Sequence, residues 1–375
     1  MTVLDPEKQK QAREYSRLNR RLWLASNLFS LAYALAWLVF GWAGGLRTWL
    51  GGFSALQSDW VLMPAFVFIF GLISVLIELP LSYYQEYVLP HHYDQSNQTL
   101  KDWIMDNLKG LAISLPVGLV LLELMYMALR SAGAWWWLWA AGGLLVFQVL
   151  AVNLVPILIM PLFNKFVPLG DEHAELAERL MKLAEKAHTR VKGVFKYDMS
   201  KRTKSANAAL TGLGNTRRIV LGDTLINEFS LDEIETVLAH ELGHQVNNDI
   251  PLLIGFGTLI TALGFFLVSL AMNWAVSAFG FSSVADPAAF PALILVFSLY
   301  SLLTMPLSNG FTRWRERKAD EYALQSTGKN EAFASAFTRL ANQNLSDVDP
   351  EKWVVFVFYS HPPLGERIAM ARNWK

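Results

Sequence analysis

The sequence predicts a polytopic α-helical membrane protein of about six spans that carries a small, water-soluble α+β domain. Three observations predict it. Hydrophobic residues make up 53% of the 375-residue chain and charged residues only 17%, against about 25% in ordinary soluble domains. Six stretches are apolar over roughly the 20 residues a helix needs to cross a bilayer. Most of the remaining polar material falls in two segments, 164–249 and 309–375.

The six spans are expected at residues 22–45, 60–84, 110–129, 134–163, 250–279 and 288–307. The charged N-terminus lacks the layout of a cleavable signal, so the first apolar run reads as a retained span. Trp135, Trp136, Trp137 and Trp139 open the fourth span as an interfacial belt would. Pro156 and Pro161 read as kink-formers near its end. Glu78 and Glu123 lie inside spans, where they either face a water-filled cavity or sit near a span end. Lys8, Lys10, Arg13, Arg17, Arg20 and Arg21 precede the first span, and Lys and Arg recur after the second, fourth and sixth. That alternation puts both termini and both polar segments on the cytoplasmic side, of a bacterial inner membrane or of a eukaryotic endoplasmic reticulum. The resulting division is 1–163, four spans; 164–249, first polar segment; 250–308, a membrane hairpin; and 309–375, second polar segment. A net charge of zero gives no sign of nucleic-acid binding. The absence of cysteine excludes disulfides and thiolate metal sites, and nothing in the sequence speaks to oligomeric state.

In the first polar segment, residues 171–189 carry Leu176, Leu180, Leu183 and Ala184 at helical spacing. Residues 191–198 read as a strand, and 205–210 with 217–223 as a β-hairpin around Gly-Leu-Gly-Asn-Thr. Ser230 with Glu233 three residues on is a capping box that opens a helix. Leu231, Ile234, Val237, Leu238 and Leu242 form its expected buried side, and it is expected to run straight into the fifth span at Ile250. After the sixth span, 312–326 and 330–344 read as two further helices, followed by the segment 359–372.

His240, Glu241 and His244 form the pattern H-E-x-x-H. Residues four apart lie on one helix face, so both imidazoles can reach a single metal ion, with Glu241 beside it to take a proton from water. A catalytic zinc site takes three protein ligands and keeps one position open. Glu316 is the best candidate for the third, because Asp320 follows on the same helix face and can orient a ligand histidine. The hairpin between them would return Glu316 to the side of the membrane where His240 sits. Alone, the charge-dense run from Arg313 to Glu321 is an ordinary solvated helix. His91 and His92 are adjacent, so their side chains diverge and they read as loop or interfacial residues.

H-E-L-G-H followed after two spans by Glu316-x-x-x-Asp320 resembles the CAAX prenyl endopeptidase family of membrane-embedded zinc metalloproteases. Leu-Phe-Asn-Lys-Phe-Val-Pro-Leu at 162–169, Ser205–Leu225 and His361-Pro-Pro-Leu-Gly-Glu-Arg-Ile are similar to further family segments in the same order. Eukaryotic members usually begin with an additional span. The resemblance implies a zincin-like metalloprotease domain, one zinc ion per chain and hydrolysis of peptide or protein substrates, with membrane lipid around the scaffold. It implies Glu241 as general base, Asn207 and Ala208 as the edge that holds an extended peptide, and His361 and Arg367 near the developing oxyanion and behind the ligands. Edge strands offer unpaired backbone groups to such a peptide, and a donor aimed at the oxyanion lowers the barrier. Substrates are expected to be hydrophobic, membrane-tethered or of CAAX type. An intramembrane protease would need the motif inside a span, against the polar start of this helix. A catalytically silent membrane receptor or transport-associated protein is the alternative, and the presence of every residue needed for hydrolysis argues against it.

Overall fold

A computed structural model describes residues 2–212 and 214–375. In hydrocarbon, every backbone amide must find its partner within the chain, so the apolar stretches become helices. Six are long and apolar enough to span a membrane: Pro6–Val39, Asp59–His92, Leu100–Ser131, Gly133–Phe163, Asp249–Phe279 and Pro287–Thr327. Five of them contain an expected span whole; the first ends at Val39, short of the expected residue 45, because Gly41 turns left-handed (φ 69°) and a separate helix, Trp42–Gly51, begins. Two are interrupted by π-helical turns, Tyr84–Val88 and Val155–Ile159. The second contains Pro156, whose carbonyl accepts a 2.8 Å hydrogen bond from the Arg218 guanidinium. Of the tryptophan cluster, Trp135 and Trp139 are exposed as a belt requires, but Trp136 is buried among the spans. His91 is a structural residue, its two ring nitrogens lying 2.6 Å from the Tyr87 carbonyl and 2.8 Å from the Gln98 carbonyl. Glu78 accepts from Ser30 of the first span at 3.1 Å, and Glu123 lies 3.9 Å from Arg130 near the end of the third.

A four-stranded sheet comes from the first polar segment: β1 (Phe166–Pro168), β2 (Val194–Tyr197), β3 (Ala208–Thr211) and β4 (Arg218–Gly222). Its order is β1-β2-β4-β3, with β2 and β4 parallel and the other pairs antiparallel. β3 and β4 are the expected hairpin; Leu213 of its turn lies outside the described residues. The order leaves β3 on an edge. The helix Ala174–Lys186 packs Leu176, Leu180 and Leu183 into one core with this sheet, joined there by Ile234, Leu238 and Leu242 and by Phe333 and Phe337. Burying each such side chain contributes roughly 1.5–3 kcal/mol.

Two expectations about helices need correction. The helix Leu231–Val246 does not run straight into the fifth span: it stops at Asn247, Asn248 takes a left-handed conformation (φ 53°), and a new helix starts at Asp249. Asn tolerates that conformation better than most residues. Residues 312–326 are not a separate helix but the end of one continuous helix, Phe290–Thr327. Pro306 and Gly310 at the junction lie inside this helix without ending it, and the backbone runs past both into the charged run. The second segment also contains Asn330–Gln343, a short helix Lys352–Phe358, and Leu364–Arg372.

Candidate active site

The helix Leu231–Val246 opens with the capping box in full: the Glu233 amide donates to Ser230 Oγ (3.3 Å) and the Ser230 amide to Glu233 Oε2 (2.8 Å). It crosses the helix Phe290–Thr327 at Gly243, so close that a Cβ there would lie 2.9 Å from Ala319 Cα. This approach sets His240 and His244 of one helix against Glu316 of the other. One ligand atom from each falls within 4.8 Å of the others. Glu316 Oε2 is 3.2 Å from His240 Nε2, and Glu316 Oε1 is 3.5 Å from His244 Nε2.

The outer ring nitrogens are held from behind. His240 Nδ1 lies 2.8 Å from Asp320, and His244 Nδ1 lies 2.7 Å from Asp249. A carboxylate at Nδ1 fixes the proton there and leaves the Nε2 lone pair free to bind a metal. Both carboxylates are themselves held by arginine. Arg367 donates from Nε to Asp320 Oδ2 (2.9 Å) and stands 3.2 Å from His240 Nδ1, while Arg315 donates from Nε to Asp249 Oδ1 (2.6 Å). Arg367 is buried beside the imidazole, with its guanidinium bound to Asp320. Asp249 and Arg315 were not anticipated from sequence. The signal available was a carboxylate at the very entrance of a span, where an unpaired charge is costly.

The chemistry of the set fits a divalent cation. Glu316 Oε2 is buried and makes no hydrogen bond among the described residues, although His240 Nε2 lies 3.2 Å away. An orphaned carboxylate oxygen is costly unless a cation answers it. Burial and the Arg367 charge oppose a proton on His240, yet Asp320 and Glu316 overcome both and push its pKa up to about 9. A field that holds a proton so firmly also favours a metal ion. Two imidazoles and a carboxylate, with no sulfur, match a zinc site that keeps an open position.

Glu241 lines a cavity of about 570 Å³ together with His240, Asn207, Ala208 and His361. Burial raises the pKa of its carboxyl, against the pull of His240 and His244. His361 Nε2 is 3.2 Å from Glu316 Oε1 and more than half exposed, at the rim of the site. Asn207 and Ala208 stand where β3 begins, and the Asn207 carbonyl accepts the Gly222 amide at 2.9 Å.

A model of the CAAX prenyl protease N-terminal region, described as five membrane helices, matches residues 1–165, and the model of peptidase family M48 matches residues 171–375. The chain belongs to this family. CAAX prenyl protease 1 of Saccharomyces cerevisiae is 32% identical over 397 residues, covering 97% of this chain and 86% of that protein. A Bacillus subtilis protein named as the uncharacterized metalloprotease YhfN is 31% identical over 382 residues, covering 99% of this chain and 87% of its own. The crystal structure of S. mikatae Ste24p superposes with a TM-score of 0.87 at 30% identity, covering 99% of this chain and 90% of that one. This member of family M48 is thus a multi-pass membrane metalloprotease, with a metal cofactor and a peptide or protein substrate.

Proposed function

We propose that the chain is a zinc endopeptidase acting on hydrophobic or membrane-tethered peptides, CAAX-type proteins among them. The observation that supports it most is the meeting of His240, His244 and Glu316 beside Glu241, at the wall of a cavity that also takes in the start of an edge strand. His240, His244 and Glu316 would hold one zinc ion per chain, which when bound supplies Lewis-acid chemistry to the scissile carbonyl and to water. Glu241 accepts the proton of the attacking water and returns it to the departing amine. The backbone at Asn207 and Ala208 pairs with the extended peptide. His361 donates toward the developing oxyanion. Asp320, anchored by Arg367, and Asp249 hold the imidazoles.

On this reading the catalytic unit is assembled from 164–249 and 309–375 around the hairpin 250–308, with 1–163 as membrane scaffold bathed in lipid. The basic-residue alternation supports a cytoplasmic active site, at the bacterial inner membrane or the endoplasmic reticulum. Elemental analysis of the purified protein is expected to give one zinc per chain. Exhaustive chelation is expected to abolish cleavage of a quenched fluorescent peptide, and added zinc to restore it. Hydrolysis that survives complete metal removal would sink the proposal, as would metal binding without hydrolysis of any peptide, which is what a silent receptor would show.

The carboxylates behind the imidazoles carry their own prediction. Asp320→Asn and Asp249→Asn are each expected to weaken zinc binding 10- to 100-fold, on the order found for partners of metal-bound histidines. Competition against a chromophoric chelator measures this directly. Wild-type affinity in both variants would remove them from the metal's support.

A further inference from the structure

The catalytic cavity has one end built unlike the rest. Of the edge strand, only its beginning lines the cavity, at Ala206, Asn207 and Ala208. Backbone groups point alternately to either side of a strand. The Asn207 carbonyl faces β4, where it accepts the Gly222 amide, so the groups of Ala206 and Ala208 face the free edge. Those of Ala208 are open to an added peptide. Those of Ala206 are taken: its amide donates to Asn344 Oδ1 (3.0 Å), and its carbonyl accepts from Asn344 Nδ2 (3.3 Å). A single side-chain amide thus copies the pairing of a neighbouring strand and stops the free edge there.

The loop behind Asn344 is fixed in turn by the first helix. Gln9 is buried, donates to the Ser346 carbonyl (3.2 Å), and accepts from the Val348 amide (3.3 Å). Leu345 between them is held at φ 44°, uncommon for a branched residue. The same helix contributes Arg20 to the cavity wall. Arg20 is half-buried and, among the described residues, makes no hydrogen bond or ion pair. Asp347 lines the cavity too, but it accepts the Asp349 amide (3.2 Å) and forms no ion pair with Arg20. Every other arginine that lines this cavity is committed: Arg367 is bound to Asp320.

A peptide added to β3 would run antiparallel to it, the commoner pairing and the one β3 already makes with β4. Its C-terminal half then lies over the start of β3, and beyond Ala208 it meets Asn344. We propose that this closed end is a terminus-recognition subsite, in which Asn344 stops the peptide and the free guanidinium of Arg20 binds its C-terminal carboxylate. The class of ligand is a short peptide tail ending in a free acid. A guanidinium is the donor best matched to a carboxylate, which it can grip with two parallel hydrogen bonds. The device would favour cleavage a few residues from a C-terminus over cleavage of internal bonds, because a continuing chain has no charge to offer and no open edge to follow. The proposal rests on the peptidase reading above.

The test uses full-length protein in detergent micelles and one quenched fluorescent peptide, with a prenylated cysteine four residues from its end, made as the free acid and as the C-terminal amide. Wild type is expected to favour the acid through KM, by roughly 10- to 100-fold in kcat/KM, the scale of a lost charge-assisted hydrogen bond. Arg20→Gln is expected to collapse that preference to near one by raising KM for the acid, and Arg20→Lys to keep part of it. Equal use of acid and amide by wild type overturns the subsite while leaving the peptidase reading intact. So does an Arg20→Gln variant that retains the acid preference. Failure to cleave either peptide in the presence of zinc overturns the peptidase reading and the subsite with it.

Discussion

Replacing Glu241 by Gln is expected to lower peptide hydrolysis by roughly two to four orders of magnitude, with zinc still bound and the unfolding temperature unchanged or slightly raised. The amide keeps the shape of the carboxyl in the cavity but cannot take a proton from water. Metal should survive because Glu241 is not one of the three converging side chains. Stability should survive because burial, the largest influence on this carboxyl, raises its pKa. A carboxyl whose pKa is raised on folding favours the folded state only at pH low enough to protonate it, and that contribution is gone at neutral pH. Nothing that stabilises the fold at pH 7 is then lost with the charge. The same burial places the acid limb of the wild-type pH–rate profile above the ordinary carboxylate range, and this limb should vanish in the variant's residual activity. Hydrolysis rates, zinc content and thermal unfolding measured on the same preparations decide the matter. Undiminished turnover would remove Glu241 from the proton path.

What could be read from the sequence was whatever depends on neighbours along the chain. Hydropathy over twenty residues is local, so all six spans were legible. The i, i+4 spacing of His240 and His244, and of Glu316 and Asp320, needs only the pitch of a helix. The capping box at Ser230 and Glu233 is likewise complete within four residues. What escaped depends on the chain folding back on itself. Asp249 reaches His244 only because Asn248 turns left-handed and ends one helix before the next begins. Arg315 sits in a charge run that reads as solvated, yet it is buried against Asp249, 66 positions away. The first helix lines the cavity through Arg20 and braces its wall through Gln9, which is bonded to Ser346 at the other end of the chain. No periodicity announces a contact across more than 300 residues.

Gly243→Ala is the smallest change expected to disable the site without touching a polar atom. An added Cβ would lie 2.9 Å from both Ala319 Cα and Ala319 O, and 3.2 Å from Ala319 Cβ. Backbone atoms cannot swing aside as a side chain can, so the two helices must part. Two effects compete. Alanine is the better helix former by about 1 kcal/mol, while overpacking a tight interface costs ~1–3 kcal/mol. They largely offset one another in stability, and the fold should persist. Geometry has no such offset. Gly243 adjoins His244, and Ala319 adjoins Asp320 and lies one turn from Glu316, so parting the helices pulls the carboxylate from both imidazoles. A displacement of about 1 Å in a catalytic constellation can cost on the order of 100-fold in rate. The expected outcome is a folded protein with zinc affinity reduced at least about tenfold and hydrolysis down about a hundredfold. Gly255→Ala in the following span supplies the comparison, since nothing lies within 4 Å of its added Cβ. It should gain helix stability and keep full activity. Should Gly243→Ala match it in zinc affinity and turnover, then the close crossing of these helices is not what sets the ligand geometry.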